Sequence, residues 1–485
     1  MVELCDLTVH QLSDLIKNKK IGVVELTKTV IDRIKKADEK IASYITVLEE
    51  DAIKQSEKIQ DKINKKNANS PLAGIPMALA DNICTKGIKT TCASKMLENF
   101  IPPYSATVYD SLLSEDVVLI GKLNMDEFSM GSLTENSYYK PCKNPWNTDR
   151  VAGGSNGGGA AVAAGVAGFA LGSDIGGSIR QPASFCGVVA LKPTYGLVSR
   201  YGLIASASSL EQIGPITKDV TDCALVLNAI QGHDKRDSTS IKVGYTDYTS
   251  ALVDDIKGMV IGIPKEYITQ EVEPEVKNAV LNAVKILTNL GAKCEEFSLP
   301  IAKYAALAYY IISSAEASSN LARYDGVKYG YRAKEYRDLL DLYIKSRSEG
   351  FGKEVKKRII LGTFVLSSGY YDKYYKKALK VRTLINEAFI KAFNKYDAII
   401  GPTVPRTAYK TGEKPKESII NIDDMYTVSA NIAGLPSMSI PCGMDKNGLP
   451  IGLQLVGKPF RESNLLKLAY TFEQNTDFHK RRARI

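Results

Sequence analysis

The chain has 485 residues, 44% hydrophobic and 24% charged, with a net charge of +9. That length allows two or three domains or one large α/β sheet, and the composition is ordinary for a globular protein. Eight scattered cysteines without a CxxC pair argue against a disulfide frame and a zinc ribbon, and the opening MVELCDLTVHQL lacks the basic-then-apolar pattern of a secretory leader. A reducing, cytoplasmic setting is expected, with no membrane contact.

Residues 1–70 read as a helical segment. Thr8 to Gln11 form a capping box ahead of Leu12, Leu15 and Ile16, and Val24, Thr27, Val30, Ile31 and Ile34 continue the helical spacing. The polar run 65–70 breaks it. The remainder, 71–485, reads as one α/β domain. Its parts are a core at 71–235, a sheet continuation at 258–300, a tyrosine-rich helical insertion at about 302–395 and a return to the sheet at 396–475. Within these, 116–121 and 258–263 are buried-strand patterns. Pro274 starts a helix that Gly291 stops, 451–456 is a strand, and 462–474 is a closing helix.

The stretch from Gly153 to Gly187 concentrates glycine, alanine and serine. Two glycine turns, Gly153-Gly154-Ser155 and Gly176-Gly177-Ser178, flank a small-residue helix and the strand Phe169–Leu171. Ser178 opens a short helix with Pro182 in its first turn and Gly187 as its stop. A serine at such a helix start, ringed by N–H groups, suits a nucleophile whose product is an oxyanion. The stretch is neither GxxxxGK[ST] nor GxGxxG, which argues against a nucleotide cradle, and it is too poor in aliphatic residues for a membrane span. The only histidines, His10, His233 and His479, lie away from both serine turns, so a Ser-His-Asp triad is not expected. Asp174 and Arg180 flank the second turn and are expected to pair across it. The basic tail from His479 to Arg484 reads as a solvated end or a nucleic-acid contact.

GGSNGGGAAVAAG followed by GSDIGGSIRQPASFCG resembles the amidase signature. The resemblance implies a mixed β-sheet sandwiched between α-helices, with a helical insertion, and a Ser–cis-Ser–Lys triad. Carried over by motif, Ser178 is the nucleophile and Ser155 the bridging serine with a cis peptide bond. The N–H groups of Ile175, Gly176, Gly177 and Ser178 form the oxyanion hole. The block PLAGIPMALADNI is similar to the family's PLAGIP…KDN, and Ala80 stands at the lysine position. Lys86 and Lys89 lie on a following loop, too far along the chain to replace it.

The blocks 124–137, 315–326 and 358–371 are similar to the A subunits of the Glu-tRNA(Gln)/Asp-tRNA(Asn) amidotransferases. That resemblance implies a glutaminase that passes ammonia to a B subunit, which amidates the charged tRNA, with a C subunit clasping both. Any ATP or Mg²⁺ belongs to the partner subunit; this chain carries no cofactor motif and no metal site. Glutamine needs one fixed group of each sign. Arg358 resembles the arginine for its carboxylate, Asp424 the aspartate for its ammonium, and Tyr309 the pocket wall.

The signature departs from the family pattern at several points. Asn156 and Gly159 replace serines, and Ala152, Ile175, Ala190 and Ser429 are also unusual. Ser155 and Ser178 are 23 positions apart, one short of the usual spacing, and one residue fewer in a packed helix turns its downstream end by about 100°. A glutaminase silenced at Ala80 is therefore expected. A non-catalytic scaffold, or a stand-alone amidase for another amide, are the alternatives.

Overall fold

The computed structural model describes residues 3–413 and 422–485. The chain begins with α1 (Val9–Lys17), α2 (Val23–Ile41), β1 (Tyr44–Val47) and α3 (Glu49–Asn64). There follow β2 (Pro76–Ala80), α4 (Thr107–Ser114), β3 (Val118–Leu123), and the hairpin β4 (Lys143–Asn144) and β5 (Asn147–Val151). The glycine-rich stretch forms α5 (Gly158–Ala163), β6 (Phe169–Asp174) and α6 (Arg180–Cys186), leading to β7 (Val189–Lys192), β8 (Gln212–Thr217) and α7 (Val220–Ile230). Next come β9 (Val260–Pro264), α8 (Pro274–Asn289) and β10 (Lys293–Phe297), then the helices α9 (Ala305–Asn320), α10 (Leu339–Gly350), α11 (Lys353–Leu366) and α12 (Tyr375–Ala392). The chain closes with β11 (Ala398–Pro402), α13 (Met425–Ile432), β12 (Ser437–Met444), β13 (Pro450–Gly457) and α14 (Glu462–Gln474).

Eleven strands make one mixed sheet in the order β1-β3-β2-β6-β8-β7-β12-β13-β11-β9-β10. β2 runs parallel to both β3 and β6, whereas β6 and β8 are antiparallel. The central strands β2, β3, β6, β7 and β8 are buried along their whole length. Their apolar runs accordingly lack alternation, as expected of strands covered on both faces. The α/β expectation with helices against a mixed sheet holds.

One element differs from the sequence reading. Tyr44–Val47, inside the segment read as helical, is an edge strand pairing antiparallel with β3. Four residues between two amphipathic helices are too few for a period-2 pattern to stand out. The capping box forms as expected, with the Gln11 side chain accepting from the Thr8 N–H at 3.1 Å. A second device holds the same helix end: the buried Asp222 carboxylate accepts from the Val9 and His10 N–H groups at 2.6 and 3.0 Å. A carboxylate at a helix N-terminus satisfies orphan donors and complements the dipole. Among the described residues, no helix is long and apolar enough to cross a membrane.

Candidate active site

Strand order places the two serine turns. β2 and β6 are parallel neighbours, so their C-terminal ends emerge at the same edge of the sheet. There the chain leaves β6 through Ile175-Gly176-Gly177-Ser178 and enters α6. Ser155 precedes α5, which packs against α6 and β6. The two side chains meet: the Ser155 hydroxyl donates to Ser178 Oγ at 2.8 Å, and both residues are buried.

The short spacing between the serines therefore does not misalign them. α5 spans only six residues, with Gly165 at φ +70° just beyond it. The turns at either end absorb the register change. Asn156 contributes on the near side, its Oδ1 accepting the Gly158 N–H at 2.7 Å in a local side-chain turn. The expected cis bond at Ser155 is corrected: no peptide bond among the described residues is cis. Consecutive positive φ values at Gly153 (+84°) and Gly154 (+57°) make the reversal with trans bonds.

The expected oxyanion hole is corrected at one position. The Gly177 N–H donates to Asp174 Oδ1 at 2.8 Å, because the tight loop folds back over the carboxylate that ends β6. The N–H groups of Ile175, Gly176 and Ser178 have no backbone acceptor among the described residues. Arg180 pairs with Asp174 as expected, at 3.0 Å, with both side chains fully buried. The same guanidinium donates to Gln454, Asn431, Ser437 and the Thr427 carbonyl. Burial opposes ionisation of Asp174, but Arg180 and Asn431 outweigh it and hold the carboxyl down to about 2.

Ala80 ends β2. In-register pairing of Ala78 with Ala170 and Leu79 with Leu171 sets Ala80 beside Gly172. Residues paired in this way point to the same face of the sheet. A Cβ at Gly172 would lie 2.3 Å from Asn156 Nδ2, so this face carries the Ser155–Asn156 turn. The Ala80 methyl group is directed to that side. Lys122 pairs with Leu79 in the β2–β3 register and so faces the other way. It is tied to the Ile83 carbonyl at 2.8 Å and Thr90 Oγ1 at 3.0 Å, with Asp81 at 3.5 Å. Lys192 donates to the Pro193 carbonyl, while Lys86 and Lys89 are exposed. None of these amines is hydrogen-bonded to either serine.

On the other side of Ser178 the candidate substrate residues converge. Gln181, one helical turn beyond Ser178, donates to Asp424 Oδ1 at 3.0 Å. Thr427 donates to the Gly176 carbonyl at 2.7 Å. The Tyr309 ring lies over Gly176, 2.7 Å from where a Cβ would be. Arg358, only 12% exposed, is held by Glu354 at 3.0 Å and lies 4.3 Å over the Tyr310 ring. Burial pushes the Tyr309 hydroxyl well above its usual pKa, opposed by the neighbouring Arg358. Burial likewise raises the Asp424 carboxyl to about 7, against the pull of Gln181 and Arg358. Sequence reasoning missed Gln181 and the Thr427 hydroxyl. The spacing of Gln181 from Ser178, three residues along one helix face, was the available signal.

A buried Ser–Ser hydrogen bond beside a glycine loop with N–H groups to spare, at the strand ends of a mixed sheet, is acyl-transfer geometry. Residues 25–466 match the amidase family, and the chain belongs to it. It is similar to the A subunit of the glutamyl-tRNA(Gln) amidotransferase of Thermoanaerobacter pseudethanolicus, 58% identical over 480 residues covering 99% of this chain and 98% of that one. Among solved structures it is similar to the corresponding glutamyl-tRNA(Gln) amidotransferase chain from Thermotoga maritima, with TM-score 0.82 and 40% identity over 98% and 96% of the two chains. It is also similar to the peptide amidase of Stenotrophomonas maltophilia, with TM-score 0.83 and 28% identity over 98% and 97%.

Proposed function

We propose that this chain is the glutaminase (A) component of a Glu-tRNA(Gln) amidotransferase, its hydrolytic step silenced by Ala80. In this reading Arg358 forks the glutamine carboxylate, Asp424 meets the ammonium and Tyr309 walls the pocket. With an amine at position 80, Ser178 Oγ would attack the side-chain amide carbon, its proton passing to Ser155 as Ser155 gives its own to that amine, and the oxyanion would be held by the N–H groups of Ile175, Gly176 and Ser178. The amine would return the proton through Ser155 to the leaving ammonia, and water would then hydrolyse the ester. Without the amine, the Ser155 hydroxyl has no acceptor but Ser178, to which it donates, and the relay does not start. In the complex a B subunit, with ATP and Mg²⁺, activates the glutamyl group on tRNA and takes ammonia, here from solution, while a C subunit clasps A and B.

Serine is a weak nucleophile without a base to take its proton. A lysine at position 80, on the face carrying the Ser155 turn, would supply that base; a methyl group cannot. The observation that carries the reading is the convergence on Ser178 of Ser155 from one side and the Gln181–Asp424 pair from the other. Ala80 also favours a second reading, in which the chain serves its complex as a scaffold. The test is amidation of Glu-tRNA by the chain assembled with B and C subunits, fed either glutamine or ammonium chloride. The proposal expects ammonium alone to support product. Failure of both donors would remove the amidotransferase assignment, and equal use of glutamine would remove the silencing.

A further inference from the structure

The basic tail keeps Lys480, Arg481 and Arg484 exposed, as a solvated end would, but it is anchored to the fold at two other residues. Ala483 is 5% exposed, and Arg482 Nε donates to the Asp6 carbonyl at 3.0 Å, so the tail is packed against the start of the chain. Between them lies an open cleft of about 920 Å³. Arg33, Lys480, Arg481, Arg482 and Arg484 line it together with Trp146, the only tryptophan in the chain. Two carboxylate residues, Glu3 and Asp6, share the lining, and Glu3 lies 3.8 Å from Arg33. Arg481 and Arg484 are exposed and have no carboxylate partner among the described residues.

The floor of this cleft is fixed. Trp146 Nε1 donates to the Cys186 carbonyl at 2.7 Å, at the last turn of α6, and Arg33 Nε donates to the Ala164 carbonyl at 3.1 Å, at the end of α5. Burial, reinforced by Lys480 and Arg482, holds His479 down to about 4, so it adds no charge of its own near neutrality.

We propose that this cleft binds RNA, its cations against the phosphodiester backbone and Trp146 offering a stacking surface for a base. Unpaired arginines in a groove beside a fixed aromatic ring form the combination that tracks a nucleic-acid strand. The volume is near the upper end for ligand pockets, roughly 300–1,000 Å³, and the cleft is open. Both features suit a chain of phosphates passing through better than one enclosed anion. The site lies at the far ends of α5 and α6 from the two serines, so it goes beyond the glutaminase reading and stands without it.

The test is fluorescence anisotropy of a labelled 20-nucleotide single-stranded RNA with the full chain, at low and moderate salt. The double variant Arg481→Ala/Arg484→Ala is expected to bind at least tenfold more weakly. Its log–log salt slope should be shallower by about 1.4, at roughly 0.7 for each phosphate neutralised by a removed arginine. The control pair Lys377→Ala/Lys380→Ala removes the same charge from exposed positions on α12 and should change affinity less than twofold. Equal losses in both variants, or no binding by the unaltered chain at low salt, overturns the proposal. So does displacement of the RNA by tripolyphosphate at equal phosphate concentration, which would assign the cleft to a free polyphosphate. None of these readouts involves ammonia release, so their failure is distinct from failure of the glutaminase assignment.

Discussion

Arg180 directs its guanidinium to a full set of buried acceptors: two carboxylate oxygens of Asp174, two side-chain amide oxygens, a hydroxyl and a carbonyl. Truncating it strands Asp174 without its counter-charge, so Arg180→Ala should cost about 3–5 kcal/mol in urea unfolding. The same pair sets an acid limit. Asp174 is held at about 2 in the folded state, against about 3.9 unfolded. Its contribution to stability is complete above pH ~4 and is lost as pH falls toward 2. Asp424 behaves oppositely. With its carboxyl raised to about 7, it is ionised, and able to pair with an ammonium, only as pH rises through that value. Glutamine affinity measured by calorimetry should therefore weaken as pH falls from 8 to 6, and Asp424→Asn should flatten that dependence. The Asp174–Arg180 pair was legible from spacing alone. Arg358 and Asp424 were singled out only through family resemblance: the one local partner of Arg358, Glu354, is an ordinary helix ion pair, and nothing local to Asp424 reveals Gln181, 243 positions away. Gln181 was missed for a related reason: an amide on a short helix has many ordinary uses.

Two short helices position the serines, and their closeness depends on small residues. A Cβ at Gly159 would meet the Pro182 carbonyl oxygen at 2.7 Å, backbone against backbone. Gly159→Ala should thus force α5 off α6 and cost about 1–3 kcal/mol, measurable as a lower urea midpoint with an unchanged slope. The departure from serine at this position, conspicuous in the sequence, is what the close packing accommodates. At the N-terminus, α1 docks on Asp222, and His10 Nδ1 lies 2.9 Å from that carboxylate and 3.5 Å from Asp219. Burial works against protonation of His10, but the hydrogen bond to Asp222 and the charge of Asp219 outweigh it and raise its pKa. The docking energy from this pair is then complete below pH ~6.5, the unfolded value, and fades as pH rises through the folded one. Protection factors of the α1 amides, taken relative to the intrinsic exchange rate at each pH, should fall above that range, and His10→Gln should remove that fall. Helices with capping boxes and long apolar stripes were readable from sequence. β1 was not, since its pairing with β3 is a tertiary choice made by four residues.

Across the whole molecule, the altered positions of the signature lie inside the fold rather than on its surface. Ala80, Ala152, Asn156, Ile175, Ala190 and Ser429 are all buried. Ser429 has also found a partner, its hydroxyl 2.8 Å from that of Tyr267. Changes confined to the interior leave the surface side chains as they were. On the proposed function, assembly with B and C subunits, read by co-purification and size-exclusion chromatography, should accordingly be the same for this chain and for an Ala80→Lys version. The overall architecture was legible because strand and helix periodicities repeat along much of the chain. The order in which eleven strands pair was not, because pairings such as that of β7 with β12 join segments separated by about half of the chain.

In the proposed reading, a single missing amine separates an assembled serine dyad from catalysis. The direct test is ammonia release from glutamine by the chain in complex with its partners, compared with Ala80→Lys and with Ala80→Lys/Ser178→Ala. The expected result is no release above background from the unaltered chain and turnover by the lysine version, faster by about 10⁴–10⁶-fold, the scale on which a unit of cooperating catalytic residues fails when one is lost. The added Ser178→Ala change should abolish it. Turnover by the unaltered chain at a rate comparable with the lysine version would contradict the silencing at Ala80.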